Sequence, residues 1–158
     1  MDPRTEDLGR QLSAKKAFLA VAESCTGGLI AKRITDVAGS SGWFERGLVV
    51  YSNQAKQDLL GIAPDLLAQF GAVSRECAEA MARGLLVMTP AHWGLAVTGI
   101  AGPGGGSPEK PVGLVWLAWQ QRGGAVESEA LQLGGTREQI RQAAADAALD
   151  GLLRRLHG

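Results

Sequence analysis

Apolar residues alternate along the chain between short continuous runs and longer stretches with helical spacing. Residues 18–22 form the first continuous run, which predicts a buried strand. Ile30, Ile34 and Val37 then follow at the i, i+4, i+7 spacing of a helix. The polar and glycine-rich residues 23–28 between them, ESCTGG, predict a tight turn that joins this strand to this helix.

The same order of strand and helix continues in the next segment. Residues 48–51 predict a second strand, and Asn53 is expected to cap a helix that ends at Gly61. Pro64 suits the first turn of a short helix that ends at Gly71.

The middle of the chain predicts a longer helix and a third strand. Ser74 is expected to cap this helix, and residues 93–97 form an apolar run that leads into the glycine-rich loop 98–106. Four residues at helical spacing are expected on the buried face of the helix: Cys77, Met81, Leu85 and Met88.

The last third of the chain predicts a hairpin followed by a helix. Residues 112–119 are apolar on both faces, as in a central strand, whereas residues 126–133 include several polar side chains. Residues 122–125 between them, RGGA, predict the hairpin turn. Thr136 and Gln139 fit a capping box for the final helix. Its apolar residues are Ile140, Leu149, Leu152, Leu153 and Leu156.

Strands that alternate with helices in this way predict an α/β fold. We expect a single three-layer α/β/α domain over residues 1–158, with a mixed, mostly parallel sheet. A chain of 158 residues is long enough to bury a core without a disulfide or a metal.

Composition and charge exclude several classes of protein. Hydrophobic residues make up 46% of the chain and charged residues 20%, which are the values of a globular domain rather than of a disordered or membrane-spanning chain. Sixteen Lys and Arg residues balance sixteen Asp and Glu residues, so nothing favours nucleic acid or a membrane surface as a partner. The first ten residues show no targeting signal, and we expect a cytoplasmic protein.

The two cysteines and two histidines offer little material for a metal site or a disulfide framework. We therefore expect no metal and no cofactor. The 22 glycines are about twice the usual share, and many of them fall in the loops 23–28 and 98–106.

Open α/β sheets bind ligands at the carboxyl ends of their strands, and the first polar strand end contains Ser24. A serine at this position is exposed, and the following helix start offers N–H groups to a developing oxyanion. A simple capped turn is the alternative interpretation of this segment. Cys25 competes as a nucleophile, although packing is its more common role.

The second strand end contains Lys56. With Asn53 as the cap, Lys56 is the third residue of its helix, where the positive helix end and partial burial both disfavour the ammonium form. A neutral lysine amine can remove the proton of a serine hydroxyl. A solvated surface lysine is the alternative. Residues 13–16, SAKK, also match S-x-x-K, but we expect an exposed helix end there.

The third strand end, residues 98–106, contains enough glycine for its backbone to approach a ligand closely. It matches neither the P-loop nor the G-x-G-x-x-G pattern.

Four segments together resemble the C-terminal domain of the competence/damage-inducible protein CinA. They are AESCTGG at 22–28, YSNQAK at 51–56, TGIAGPGGGSPEKPVGLVW at 98–116 and TREQIR at 136–141. The resemblance implies hydrolysis of the carboxamide of nicotinamide mononucleotide in pyridine nucleotide salvage. It also implies that Ser24 is the nucleophile, that Lys56 is its general base and that Tyr51 is a neighbour that binds or assists.

The resemblance further implies that Thr98 and the glycine loop bind substrate, and we expect a wider set of substrate-binding residues around the same motifs. They are Thr26, Gly27, Gly28, Asn53, Thr98, Gly99, Ala101, Gly102, Gly104, Gly105 and Arg137. Two departures from the family pattern are visible: Ser107 replaces a common threonine, and Gly134-Gly135-Thr136 precedes Arg137 where many members have Gly-Asp. The second departure leaves the role of this final loop open. The substrate that the resemblance implies carries one phosphate, and Arg137, at the start of the final helix, is the candidate to bind it, with a solvated arginine as the alternative. Arg141, one turn further on, is expected to face solvent.

Two other functions stay open at the level of sequence. The first alternative is a nucleotide-binding or regulatory module that does not turn over a substrate. Loss of Ser24 or Lys56 would favour this alternative, but both residues are present. A nucleotide phosphohydrolase is disfavoured because no acidic cluster accompanies the glycine loop. The expected partners are the small-molecule substrate and further copies of the chain, a dimer being the simplest assembly.

Overall fold

The computed structural model describes residues 2–157 and contains a five-stranded sheet with helices on both faces. The strands are β1 (Leu19–Glu23), β2 (Phe44–Val49), β3 (Trp93–Gly99), β4 (Leu114–Gln121) and β5 (Glu127–Gln132). Their order across the sheet is β2-β1-β3-β4-β5. β1 pairs in parallel with β2 and β3, whereas β4 is antiparallel to both β3 and β5. Only β4 therefore runs against the other strands, and the expected mixed sheet is confirmed.

Six α-helices precede, connect or follow these strands within the described residues. They are α1 (Pro3–Ala14), α2 (Leu29–Thr35), α3 (Asn53–Leu60), α4 (Pro64–Phe70), α5 (Arg75–Met88) and α6 (Arg137–His157). A short 3₁₀ turn at Ser40–Gly42 precedes β2. The end of α1 at Ala14 agrees with the helix end that the SAKK segment predicts.

Two hydrophobic cores lie on the two faces of the sheet. On one face α1, α2 and α6 cover side chains such as Val21, Leu95 and Leu117, and on the other α3, α4 and α5 cover Ala20 and Ala96. Successive residues of a strand point to opposite faces, so β1 and β3 are buried on both sides. The α/β/α layers expected from the sequence are present.

Several local predictions are confirmed by hydrogen bonds. Thr136 and Gln139 form the reciprocal capping box, with the Thr136 N–H donating to Oε1 of Gln139 and the Gln139 N–H to Oγ1 of Thr136. Ser74 caps α5 by accepting from the Cys77 N–H. Gly61 ends α3 with φ of +67°, a conformation that favours glycine.

Three local predictions are wrong. β2 begins at Phe44 and ends at Val49 instead of spanning 48–51, because it is a half-exposed edge strand whose polar residues hide its pattern. The cap of α3 is Ser52, whose hydroxyl accepts from the Ala55 N–H, and not Asn53. Met88 is 52% exposed, since it is the last residue of α5 and lies past the edge of the core.

The packing of α6 against β4 generates a test of the fold. A Cβ at Gly151 would lie 2.2 Å from Cζ2 of the buried Trp119. Gly151→Ala should therefore destabilise the protein by about 1–3 kcal/mol by overpacking, although glycine to alanine in a helix is ordinarily favourable. Gly42→Ala is the control, because a Cβ there meets nothing within 4 Å. Urea unfolding measures both variants, and equal stability of Gly151→Ala and the wild type would contradict the packing.

Candidate active site

The carboxyl ends of β1, β2 and β3 meet at one edge of the sheet and surround a cavity of about 220 Å³. This is where an open α/β sheet is expected to bind a ligand. Its lining comes from Ser24, Cys25, Tyr51, Asn53, Lys56, Ala72, Val73, Thr98, Gly99, Ala101 and Arg137. No carboxylate is among these residues, so the cavity favours an anionic or neutral ligand.

Ser24 and Lys56 form a buried pair at the base of the cavity. Nζ of Lys56 lies 3.1 Å from Oγ of Ser24. The same nitrogen donates to the carbonyl oxygen of Val50 at 2.9 Å and to that of Tyr51 at 3.1 Å. Lys56 is only 1% exposed. The serine and the lysine that the sequence singled out are thus in hydrogen-bond contact.

The local sequence explains how Lys56 reaches Ser24. Val50, one residue past β2, still donates its N–H to the carbonyl oxygen of Glu23 at the end of β1, so the chain stays beside β1 up to this point. Ser52 then starts α3, and Lys56 is the fourth helical residue rather than the third that an Asn53 cap would make it. The side chain points back over the first turn toward the end of β1, as helical side chains do.

Burial lowers the pKa of Lys56 below its ordinary value. A neutral amine has two N–H donors and one lone pair. The Val50 and Tyr51 carbonyls take both N–H groups, which leaves the lone pair for the Ser24 hydroxyl proton. The Tyr51 carbonyl is a poorer acceptor for that proton, because it lies 3.5 Å from Oγ. The pair is thus arranged for transfer of a proton from serine to lysine.

The cysteine beside the serine is in a different state. Burial raises the pKa of the Cys25 thiol to about 11, and burial likewise raises that of Cys77, on α5, to about 11. Both thiols are protonated at neutral pH, and the thiolate is the nucleophilic form of cysteine. The chemistry of this turn therefore favours Ser24.

The turn after β1 presents backbone donors. The Ser24 N–H donates to the carbonyl oxygen of Val97 on β3. Within residues 2–157, the N–H groups of Cys25 and Thr26 have no acceptor. Free N–H groups next to a nucleophile are what an oxyanion hole requires.

The mouth of the cavity contains a cation. Arg137, the first residue of α6, donates to the carbonyl oxygen of Gly102 at 2.7 Å and to the phenol oxygen of Tyr51 at 3.2 Å. Its guanidinium has five N–H donors, so further donors are available to an anion. The Tyr51 side chain is 61% exposed and points to this mouth, whereas its backbone carbonyl contacts Lys56.

The predicted substrate-binding residues divide into two groups. Five of them line the cavity: Asn53, Thr98, Gly99, Ala101 and Arg137. Six lie outside its lining: Thr26, Gly27, Gly28, Gly102, Gly104 and Gly105. Thr98 has its hydroxyl hydrogen bonded to the carbonyl oxygen of Ala72, so it holds the wall of the cavity as well as lining it.

The Thr26 hydroxyl is bonded within the protein, and a substrate-binding role for this residue stays a prediction. The residue is fully buried, and its hydroxyl donates to the Glu23 carboxylate at 2.6 Å. Gly27 and Gly28 have φ of +59° and +103°, so their role in the structure is to turn the chain into α2. Gly102 faces Val112 and gives its carbonyl to Arg137.

Sequence reasoning missed part of the site. Ala72 and Val73 form an apolar wall of the cavity, and no chemical signal in the sequence distinguishes them. The prediction that Arg141 faces solvent is wrong. Its guanidinium is half-buried and donates to the carbonyl oxygen of Thr26 at 3.0 Å, because α6 turns this side chain toward the β1–α2 turn.

Two properties of the described residues concern metal binding and membranes. Across residues 2–157, no cluster of three or more His, Cys, Asp or Glu side chains has a geometry that could hold a metal ion. None of the helices in that same range is long and apolar enough to cross a membrane.

Known proteins are similar to this chain over nearly its whole length. The family model described as the CinA C-terminal domain matches residues 1–156. The nicotinamide-nucleotide amidohydrolase PncC of Pseudomonas putida is 53% identical over 156 residues, which cover 97% of this chain and 97% of that protein. A CinA-like protein of Geobacter sulfurreducens is 54% identical over 94% of this chain, but the match covers only 36% of that protein.

A solved structure has the same fold over nearly its whole length. The competence/damage inducible protein CihA from Agrobacterium tumefaciens superposes with a TM-score of 0.92 at 45% sequence identity, covering 100% of this chain and 98% of that one. Similarity of sequence and of fold thus extends over nearly every residue. The chain belongs to the CinA C-terminal domain family.

Proposed function

We propose that the protein hydrolyses the carboxamide of nicotinamide mononucleotide to nicotinate mononucleotide and ammonia by a Ser-Lys mechanism. The name of the Pseudomonas putida relative, at 53% identity, supports the substrate class. The observation that carries the mechanism is the 3.1 Å contact between Oγ of Ser24 and Nζ of Lys56 in a buried site. The reaction belongs to pyridine nucleotide salvage in the cytoplasm.

The first half of the reaction forms an acyl-enzyme. Oγ of Ser24 attacks the amide carbon while its proton passes to the neutral amine of Lys56. The carbonyl oxygen becomes an oxyanion, which the free N–H group of Cys25, a residue of the cavity lining, stabilises. Lys56, now an ammonium, returns the proton to the amide nitrogen. The C–N bond breaks, ammonia leaves, and the nicotinoyl group remains as an ester on Ser24.

The second half repeats these steps with water. Lys56 takes a proton from a water molecule that attacks the ester carbon, and the same N–H donor stabilises the second tetrahedral intermediate. The bond to Oγ then breaks, and Lys56 returns the proton to Ser24. The nicotinate product leaves as its carboxylate with loss of one proton to solvent. One lysine thus serves as base and acid in turn, a contribution of typically ~10²–10⁴-fold in rate.

The remaining cavity residues fit the rest of the nucleotide. Arg137 at the mouth binds the phosphate with its free N–H donors, and the Tyr51 phenol and the Asn53 amide add polar contacts there. The apolar wall of Ala72 and Val73 packs against the pyridine ring. The absence of carboxylates in the lining spares the phosphate from repulsion.

The decisive experiment is incubation of the purified protein with nicotinamide mononucleotide, with and without a chelator. We expect release of ammonia and nicotinate mononucleotide in equal amounts, unaffected by the chelator, because the proposed groups are a serine and a lysine. Ammonia detection and mass spectrometry of the nucleotide give the readout. Loss of turnover on chelation, restored by added metal, would overturn the Ser-Lys mechanism. Tight binding of the nucleotide without turnover would instead support a binding module.

The choice of nucleophile gives a second prediction. Ser24→Ala should abolish turnover, whereas Cys25→Ala and Cys25→Ser should retain most of it, because the thiol is protonated and is not the group in contact with Lys56. Steady-state kinetics of the three variants, with circular dichroism as a check on folding, measure this. An active Ser24→Ala together with a dead Cys25→Ala would identify Cys25 as the nucleophile.

The pH dependence gives a third prediction. Only the neutral amine of Lys56 accepts a proton, so kcat/KM should rise with pH along a limb governed by Lys56. Since burial lowers the pKa of this amine, the limb should lie below the ordinary range of lysine. Lys56→Arg should be nearly inactive, because a guanidinium stays protonated, and Lys56→Ala should be inactive yet still bind the nucleotide. If Lys56→Arg keeps a sizeable kcat, Lys56 is an electrostatic anchor and Tyr51 is the next candidate for the base.

A further inference from the structure

Glu23 is a buried acidic residue directly before the proposed nucleophile, and it does not line the cavity. We propose that Glu23 is a positioning residue: its carboxylate holds residues 24–28, here named the nucleophile turn, in the geometry that Ser24 and the oxyanion donor at Cys25 need. This inference rests on the proposed function, since it assigns a role within the same reaction.

The carboxylate of Glu23 is fully engaged. The side chain is 1% exposed and accepts three hydrogen bonds. Oε1 accepts from the Thr26 hydroxyl at 2.6 Å and from the Ile30 N–H at 2.9 Å, and Oε2 accepts from the Ala31 N–H at 2.9 Å. A buried carboxylate is costly unless it is satisfied in this way.

These contacts make Glu23 the cap of α2. The residue at the cap position is Gly28, which has no side chain to accept from the helix N–H groups. The Glu23 carboxylate takes that role by binding the N–H groups of the second and third helical residues, Ile30 and Ala31. A negative group at this end also interacts favourably with the helix dipole. The start of α2 is thereby tied to the end of β1.

The nucleophile turn is therefore held at its start and at its middle residue. At its start, the Ser24 N–H binds the Val97 carbonyl on β3. Two residues later, the Thr26 hydroxyl binds Glu23, and the Thr26 carbonyl accepts from Arg141. Between these anchors lie the free N–H groups of Cys25 and Thr26. Two backbone hydrogen bonds complete the turn, from the Gly27 N–H to the Ser24 carbonyl and from the Leu29 N–H to the Thr26 carbonyl.

The chemistry of the three donors requires a carboxylate. Each contact donates a hydrogen to Glu23, and a carboxylate has only acceptors. In Glu23→Gln, the amide oxygen can replace Oε1 toward Thr26 and Ile30, but the NH₂ group would then face the Ala31 N–H. Glutamine keeps the size of the side chain and loses one hydrogen bond. It therefore tests the carboxylate with the least disturbance of packing.

The experiment compares Glu23→Gln and Thr26→Val with a matched control, Glu79→Gln. Glu79 also accepts a serine hydroxyl at 2.6 Å, but it lies on α5 away from the cavity lining. With nicotinamide mononucleotide, we expect kcat to fall roughly 10–100-fold in Glu23→Gln, because misplacing a reacting group by about 1 Å costs about 10²-fold. KM should change little in Glu23→Gln. In Thr26→Val, kcat should fall less than it does in Glu23→Gln. Glu79→Gln should match the wild type.

Two further readouts separate positioning from other roles. The pH limb of Lys56 should stay in place in Glu23→Gln, because Glu23 transfers no proton. A fluorophosphonate that labels Ser24 should react more slowly with Glu23→Gln than with the wild type, whatever the natural substrate is. Thermal unfolding of each variant shows whether it remains folded at the assay temperature. If Glu23→Gln is unfolded at that temperature, Thr26→Val provides the test.

The outcomes distinguish the two proposals. A wild type that is labelled at Ser24 but releases no ammonia from nicotinamide mononucleotide overturns the proposed substrate, while the labelling rates still decide the role of Glu23. A folded Glu23→Gln with wild-type kcat and labelling overturns the positioning role. So does a change confined to KM, which would make Glu23 a determinant of binding.

Discussion

The burial of one lysine amine against two backbone carbonyls is the interaction on which the candidate site depends. Lys56 has no carboxylate partner in its hydrogen bonds, so its environment favours the neutral form. The carbonyls of Val50 and Tyr51 face Nζ only because β2 ends at Val49 and the chain turns there into α3. The early end of an edge strand thus determines where the base lies and which way its lone pair points.

The sheet brings that base to its partner. β1 lies between β2 and β3, and all three strands are parallel, so their carboxyl ends supply the serine, the lysine segment and Thr98 to one edge. The two glycine-rich loops play different parts at this edge. One turns the nucleophile into α2, while in the other Gly102 gives its carbonyl to Arg137 at the mouth.

The sequence predicts the layers and the candidate pair because both depend on local signals. Apolar runs mark β1 and β3, and polar residues at strand ends mark Ser24 and Lys56, to which the family resemblance adds their roles. The directions of side chains are not local: Arg141 contacts the Thr26 carbonyl across 115 positions of sequence. The sequence also does not predict the wall of Ala72 and Val73, because nothing distinguishes small apolar residues of this loop from those of other loops. The beginning of β2 is missed because an edge strand needs apolar residues on only part of its surface.

Helix α6 connects the mouth of the cavity to a distant part of the core. Its 21 residues form a rod about 30 Å long, with Arg137 at one end and Gly151 pressed against Trp119 near the other. Buried residues along the helix, among them Ile140, Ala144 and Leu149, fix this rod against the sheet. The cation at the mouth of the cavity and the glycine that fits against an indole in the core are therefore parts of one element.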